Sequence, residues 1–171
     1  MTPEILQWLE QVAKPYLSPS AGRVLEVGAL DINGSPRSVF QPIATEYIGT
    51  DMQDGAGVDV VVNNAELVNH FRESKLGLKW DTIICCECLE HDVMFWNTVK
   101  QMRYLIKSGG HLIITTPALG FPYHAYPRHY YNFTRDAYED IFFAGMDILD
   151  LRYINSAAGA NTTLVGIARE R

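Results

Sequence analysis

RVLEVGALDINGSPRSVF, residues Arg23 to Phe40, changes character three times in eighteen residues, and the rest of the chain is arranged around it. Val24 to Val27 form an apolar run interrupted only by Glu26, the pattern of a buried strand. Gly28, Asp31, Asn33 and Gly34 then supply turn chemistry, and Ser35 with Pro36 offers a helix start, since proline fits the first helical position. Strand, glycine turn and helix follow one another directly. In an open α/β sheet that junction is the crevice where ligands bind, beyond the carboxyl end of the first strand.

The glycine spacing restricts the ligand. A dinucleotide fingerprint needs Gly-x-Gly-x-x-Gly, so that backbone and helix terminus can approach a pyrophosphate. This loop has only Gly28 and Gly34 and carries Asp31 between them. Twenty-three residues after Gly28, Asp51 closes the strand-like EYIGTD, where an acid can accept hydrogen bonds from both ribose hydroxyls. Acids with no phosphate cradle fit an adenosine that carries a cation, and a sulfonium meets that description.

VLEVGALDINGS, YIGTDM, NNAEL and WDTIICCECLEHD, in this order and at these intervals, resemble the successive motifs of class I S-adenosylmethionine-dependent methyltransferases, the small type 11-like domains in particular. The resemblance runs from about Arg23 to the C-terminus. The family usually has Gly-x-Gly where this chain has Gly28, Ala29 and Leu30. It implies a three-layer, doubly wound Rossmann-like α/β sheet of seven strands, mostly parallel with an antiparallel C-terminal hairpin. It also implies S-adenosyl-L-methionine as cofactor, held by Glu26, Gly28, Ala29, Asp31, Gly34, Asp51, Met52, Asn64, Ala65, Cys86 and Glu87. Asn64 stands where the family often has an acid that bonds the adenine amino group, and an amide oxygen can accept the same bond. Cys86 and Glu87 match the positions that pass the methionine part of the cofactor, and His91 then lies near the transferred methyl.

At 171 residues the chain suits a single domain spanning 1–171, large enough to bury a core without staples. Its net charge is −6 and its basic residues are scattered, which makes bulk nucleic acid a poor partner. MTPEILQWLEQ lacks a basic region followed by an apolar core, and no apolar run approaches a membrane span, so a cytoplasmic protein is expected.

Within residues 1–20, Pro3 precedes Ile5, Leu9, Val12 and Tyr16 at helical spacing, giving an amphipathic lead helix that either covers a sheet edge or caps the cofactor site. Glu46 to Gly49 and Val58 to Val62 read as the second and third strands, with the tight loop MQDGAG between them. Met52 is placed either on an adenine face or as a gap filler, and Asn64 doubles as a candidate helix cap ahead of Glu66. Asp81 to Cys86 is the fourth strand. Phe95, Val99, Met102 and Ile106 mark a helix that ends at Ser108-Gly109-Gly110, and His111 to Thr115 is the fifth strand. Thr134 caps a helix through Ala137, Ile141 and Phe142 that stops at Gly145, before strands Ile148 to Ile154 and Thr163 to Ala168.

Cys85, Cys86 and Cys88 invite a metal reading, but strand alternation points Cys85 away from the other two, and no second cysteine pair follows at zinc-finger spacing. Buried free thiols in a reducing compartment are expected, with no metal. PALGFPYHAYPRHYYNF, residues 117–133, overhangs the carboxyl-end crevice and is too long for a plain connection. Its aromatics either flank the sulfonium and acceptor or glue a lid to the sheet. Some family members carry His-x-x-Pro-x-Asp-Tyr-x-Arg-Phe-Thr here. His124, Pro127, Tyr130, Phe133 and Thr134 match, whereas His129 and Asn132 replace the acid and the base, so the salt link those would make is absent.

Methyl transfer is an in-line displacement on an activated carbon, so alignment and exclusion of water supply much of the catalysis. A hydroxyl acceptor still gains from a base, which His91, His124 or His129 could provide, and His91 with His124 is expected to face the acceptor. The expected partner is a small-molecule acceptor, and a unit this small can borrow a wall from a second copy. The alternatives are a catalytically silent cofactor-binding scaffold and, less favoured by the missing third glycine, a nicotinamide dinucleotide oxidoreductase.

Overall fold

The computed structural model describes residues 1–125, 128–156 and 162–171. Seven strands form one sheet: β1 (Gly22–Val27), β2 (Ala44–Asp51), β3 (Val60–Val61), β4 (Trp80–Cys86), β5 (Ile106–Pro117), β6 (Asp147–Asn155) and β7 (Thr162–Arg169). Their order across the sheet is β3-β2-β1-β4-β5-β7-β6. The first five are parallel, and β7 runs antiparallel to both β5 and β6, as the resemblance implied.

Both faces of the sheet are covered, which explains the continuous apolar runs in the central strands. Leu25, Val27, Ile83, Cys85, Leu112 and Ile114 face α3 (Leu67–Glu73), α4 (Phe95–Leu105) and α5 (residues 135–142) through Phe71, Met102 and Phe142. Val24, Ile84, Cys86, Ile113 and Ile167 face the opposite way, against the lead helix α1 (residues 3–17) and α2 (Arg37–Phe40). Pleat alternation thus divides neighbouring residues between two separate cores. No helix among the described residues is long and apolar enough to cross a membrane.

The lead helix departs from the expected stripe. Ile5 and Leu9 are buried, but Tyr16 is exposed and Val12 only partly covered, while Ala13 and Leu17 take their places in the core. A π-helical turn at Leu9–Ala13 is the cause, because its wider turn carries the buried face one residue further along the chain. The helix covers the sheet edge, with Trp8 Nε1 donating to Asp150 at 2.9 Å, and the two residues before it, Met1 and Thr2, line the crevice beyond the strand ends.

Other boundaries also move. β3 shrinks to two residues because Val58 closes a turn on Gly55, its N–H donating to that carbonyl at 3.1 Å. β5 starts five residues early, at Ile106 opposite Trp80, before a bulge through Gly109 restores the pairing of His111 with Thr82. The cap of the helical segment before α3 is Asn63, whose side chain accepts from Ala65 N at 2.9 Å, rather than Asn64. Thr134 caps α5 as expected, accepting from Ala137 N at 3.3 Å.

Candidate active site

Register brings Val27 opposite Thr50 and Glu26 opposite Ile84, so β1, β2 and β4 finish side by side. Beyond their carboxyl ends lies a cavity of about 730 Å³. Gly28 shapes its floor. It takes a left-handed φ of 79°, and a Cβ there would lie 2.5 Å from Cys88 Sγ, so only glycine lets the two strand ends meet. The Gly28 and Ala29 amides both donate to Thr50 O at 2.9 Å, and Asp31 N donates to Ala56 O at 2.8 Å, tying this loop to the one after β2.

Asp51 closes β2 and lines the cavity, with its carboxylate already oriented by Leu30 N at 3.2 Å and Gln53 N at 3.0 Å. Glu26, almost fully buried at the end of β1, accepts from Tyr47 Oη at 2.8 Å and Ser35 Oγ at 3.3 Å. Burial pushes its carboxyl up to about 7, against the opposing pull of the Tyr47 hydrogen bond and Arg37. Asn64 and Ala65 follow β3 into the cavity. The Asn64 amide nitrogen lies 3.9 Å from Cys88 Sγ, and its Oδ1 is buried without a partner. Met52, Gly34, Cys86 and Glu87 line the same space. Asp31 does not; its carboxylate turns back to accept from Gly34 N at 2.7 Å, fixing the loop instead.

Beyond β4 the backbone bends sharply at Glu87, which holds a left-handed φ of 50°. Its carboxyl accepts from Thr115 Oγ1 at 2.9 Å, and burial pushes it up to about 7. The following 3-10 turn, Leu89–His91, buries Glu90 completely and leaves neither of its carboxylate oxygens a hydrogen-bond partner. Desolvation, with the nearby charge of Glu87, holds the Glu90 carboxyl well above the usual range. His91 Nε2 is 3.6 Å and His124 Nε2 is 3.9 Å from Glu90 Oε1. The two imidazoles meet edge to face, 5.1 Å between centroids, and desolvation lowers both pKa values.

The aromatic loop divides its side chains between packing and the cavity wall. Phe133 and Tyr131 pack on Phe95, which glues the loop to α4, whereas Phe121, His124 and Tyr130 line the cavity. Tyr130 N donates to Glu90 O at 2.8 Å and His91 Nδ1 to Arg128 O at 2.6 Å, so this loop is fastened directly to the turn after β4. His129 stays outside the cavity. Its Nε2 sits 2.8 Å from Asn132 Oδ1, a hydrogen bond where the resemblance has a salt link. Pro127 lies outside the described residues.

The cysteines need one correction. Cys86 does face the opposite core from Cys85, but Cys88 packs against the same core as Cys85, because the chain leaves the strand after Cys86 and alternation no longer applies. Glu90 is the residue that sequence reasoning passed over. Its one signal was a second acid three residues after Glu87, on a turn beyond a strand end.

Residues 1–161 match a family described as a methyltransferase domain. The chain belongs to this methyltransferase family. Solved structures agree on the fold. The 1,6-didemethyltoxoflavin-N1-methyltransferase of Burkholderia thailandensis, solved with 1,6-didemethyltoxoflavin and S-adenosylhomocysteine, is similar at TM-score 0.74 and 16% identity, over 96% of this chain and 77% of that one. The N-methyltransferase NodS of Bradyrhizobium japonicum, with S-adenosylhomocysteine, gives TM-score 0.67 and 12% identity over 98% and 84%. The magnesium protoporphyrin IX methyltransferase ChlM of Synechocystis, with its methyl donor bound, gives 0.63 and 18% over 98% and 77%. No protein of curated function matches this methyltransferase.

Proposed function

We propose that this methyltransferase moves a methyl group from S-adenosylmethionine to a small-molecule acceptor seated beside His91 and His124. The observation that carries this reading is the set of side-chain oxygens on Glu26, Asp51 and Asn64, which converge on one cavity at the ends of three neighbouring strands. An adenosine bearing an amino acid tail presents hydrogen-bond donors at its base, ribose and ammonium, and these residues offer acceptors. The donor set fits. Among the solved relatives, those from Burkholderia, Bradyrhizobium and Synechocystis hold the same donor or its demethylated product.

Asp51 holds the ribose hydroxyls, its orientation prepaid by the Leu30 and Gln53 amides. Asn64 Oδ1 accepts from the adenine amino group, which would satisfy an atom otherwise orphaned. Met52 lies against the base, and Glu26 and Glu87 face the ammonium end. Gly28 and Ala29 allow the close approach of backbone to donor. When bound, the donor supplies a methyl carbon activated by a sulfonium, which an acceptor lone pair displaces in line. His91 and His124 flank the acceptor, Phe121 and Tyr130 wall it, and the loop fastened at Glu90 keeps water out. The cavity volume suits a small molecule.

Titration calorimetry with S-adenosylhomocysteine tests the donor reading, with one-site binding expected and no heat from a nicotinamide dinucleotide. Absence of binding contradicts it. Incubation of methyl-labelled donor with a panel of hydroxyl and amine acceptors tests the transfer, and label that never leaves the donor would mark a silent binding domain.

A further inference from the structure

At the end of the cavity proposed for the acceptor, one side-chain donor atom from each of Glu90, His91 and His124 converges on the others. Glu90 is fully buried, and both of its oxygens are without hydrogen-bond partners. That arrangement is unfavourable for a carboxyl group unless something else occupies its lone pairs. The Nε2 atoms of His91 and His124 lie 3.6 and 3.9 Å from Glu90 Oε1. One ligand atom from each of the three lies within 4.8 Å of the other two.

The ring of His91 is oriented from outside. The Arg128 carbonyl can only accept, so at 2.6 Å it fixes the proton on Nδ1 and leaves the Nε2 lone pair directed at Glu90. A carbonyl behind the ring is the usual support for a metal-bound histidine. Ligand atoms bonded at about 2.1 Å in a tetrahedral shell stand about 3.4 Å apart. The two separations from Glu90, 3.6 and 3.9 Å, already approach that spacing, and the two imidazole nitrogens, within 4.8 Å of each other, reach it by rotation of the His124 ring toward His91.

We propose that Glu90, His91 and His124 bind one divalent transition-metal cation, with its open coordination positions facing the acceptor. Two imidazoles and a carboxylate suit zinc, cobalt, manganese or ferrous iron and not calcium or magnesium, which take all-oxygen shells. Three protein ligands leave at least one position free, and His91 and His124 both line the cavity, so that position opens on the space assigned to the acceptor. A coordinated acceptor hydroxyl loses its proton to solvent near neutral pH and keeps an oxygen lone pair for the methyl carbon. The cysteine cluster offers no competing site, since Cys85 and Cys86 are fixed in opposite cores. Only the catalytic use of the cation rests on the methyl-transfer reading; its binding does not.

The test is titration of the full chain, stripped with chelator, with cobalt(II) alone, followed by visible absorption and calorimetry. The site predicts one equivalent bound, with ligand-field bands of a nitrogen and oxygen shell. Glu90→Gln and His124→Ala should each weaken cobalt binding tenfold or more, with circular dichroism melting used to confirm that both variants fold. His70→Ala, on the distant helix α3, should leave it unchanged. No cobalt uptake, or uptake that neither Glu90→Gln nor His124→Ala weakens, overturns the proposal. Cobalt binding without S-adenosylhomocysteine binding would uphold the cation site and refute the donor reading, and the reverse result would separate them equally well.

Discussion

At the end of the cavity proposed for the donor, Asp51 and Glu26 sit on strand termini, and each carboxylate is already held by two hydrogen bonds. At the acceptor end, Glu90 sits in a single 3-10 turn and has none, while its companion His124 comes from the loop after β5. The difference separates two kinds of pre-organisation. The donor half is rigid before any ligand arrives, because ladder and loop hydrogen bonds set its geometry. The acceptor half is assembled by the fastening of two loops and keeps unfilled valences for whatever enters.

If the rigid half depends on the close meeting of β1 and the turn after β4, Gly28→Ala should show it with the largest effect. The new methyl must occupy a left-handed backbone and press against Cys88, at a cost of about 3 kcal/mol from strain and overpacking together. Melting should fall by roughly 6–12 °C in calorimetry for a domain of this size. An unchanged melting temperature would show that the floor is not set by this contact.

Glu26 gives the next test. Its carboxyl is raised from 4.5 to about 7, so the folded state binds more protons than the unfolded state between those values. Stability contributed by this group is present below pH 4.5 and lost as pH rises through 7. Glu26→Gln removes that loss while keeping an oxygen for Tyr47. Urea titrations across this range should find the variant gaining on the parent by on the order of 3 kcal/mol toward high pH. A difference that stays flat with pH would mean that Glu26 is not held in a desolvated site.

The smallest effect falls on binding. On the proposed donor pose, Asp51→Ala removes the carboxylate that would accept from both ribose hydroxyls and should weaken S-adenosylhomocysteine by about 30-fold, near 2 kcal/mol, in titration calorimetry. Asp51→Asn should fall between variant and parent. Equal affinity in all three would place the nucleoside elsewhere.

The same contrast explains what the sequence disclosed. Glu26, Gly28, Asp51 and the strand ends that carry them belong to contiguous strand–turn units, so local pattern was enough to bring them to one edge of a parallel sheet. The seven-stranded topology and its antiparallel hairpin followed from the motif resemblance, and the burial of the central strands from their continuous apolar runs. Glu90 carried no such mark. Its burial depends on a left-handed turn at Glu87 and on a loop that returns 33 residues after His91 to bring His124, a tertiary meeting that periodicity does not encode. Asp31 misled for the opposite reason: as a short acid two residues past Ala29 it read as a ligand, yet Asx-turn chemistry drew its carboxylate to Gly34 N. The lead helix slipped by one residue because a π-turn leaves no signature in an apolar stripe.

The most direct test of the account is a crystal structure with S-adenosylhomocysteine. It should show the ribose on the Asp51 carboxylate, the adenine amino group on Asn64 Oδ1, and the sulfur turned toward His91 and His124. Product bound elsewhere, or Asp51 pointing away from the ribose, would contradict it.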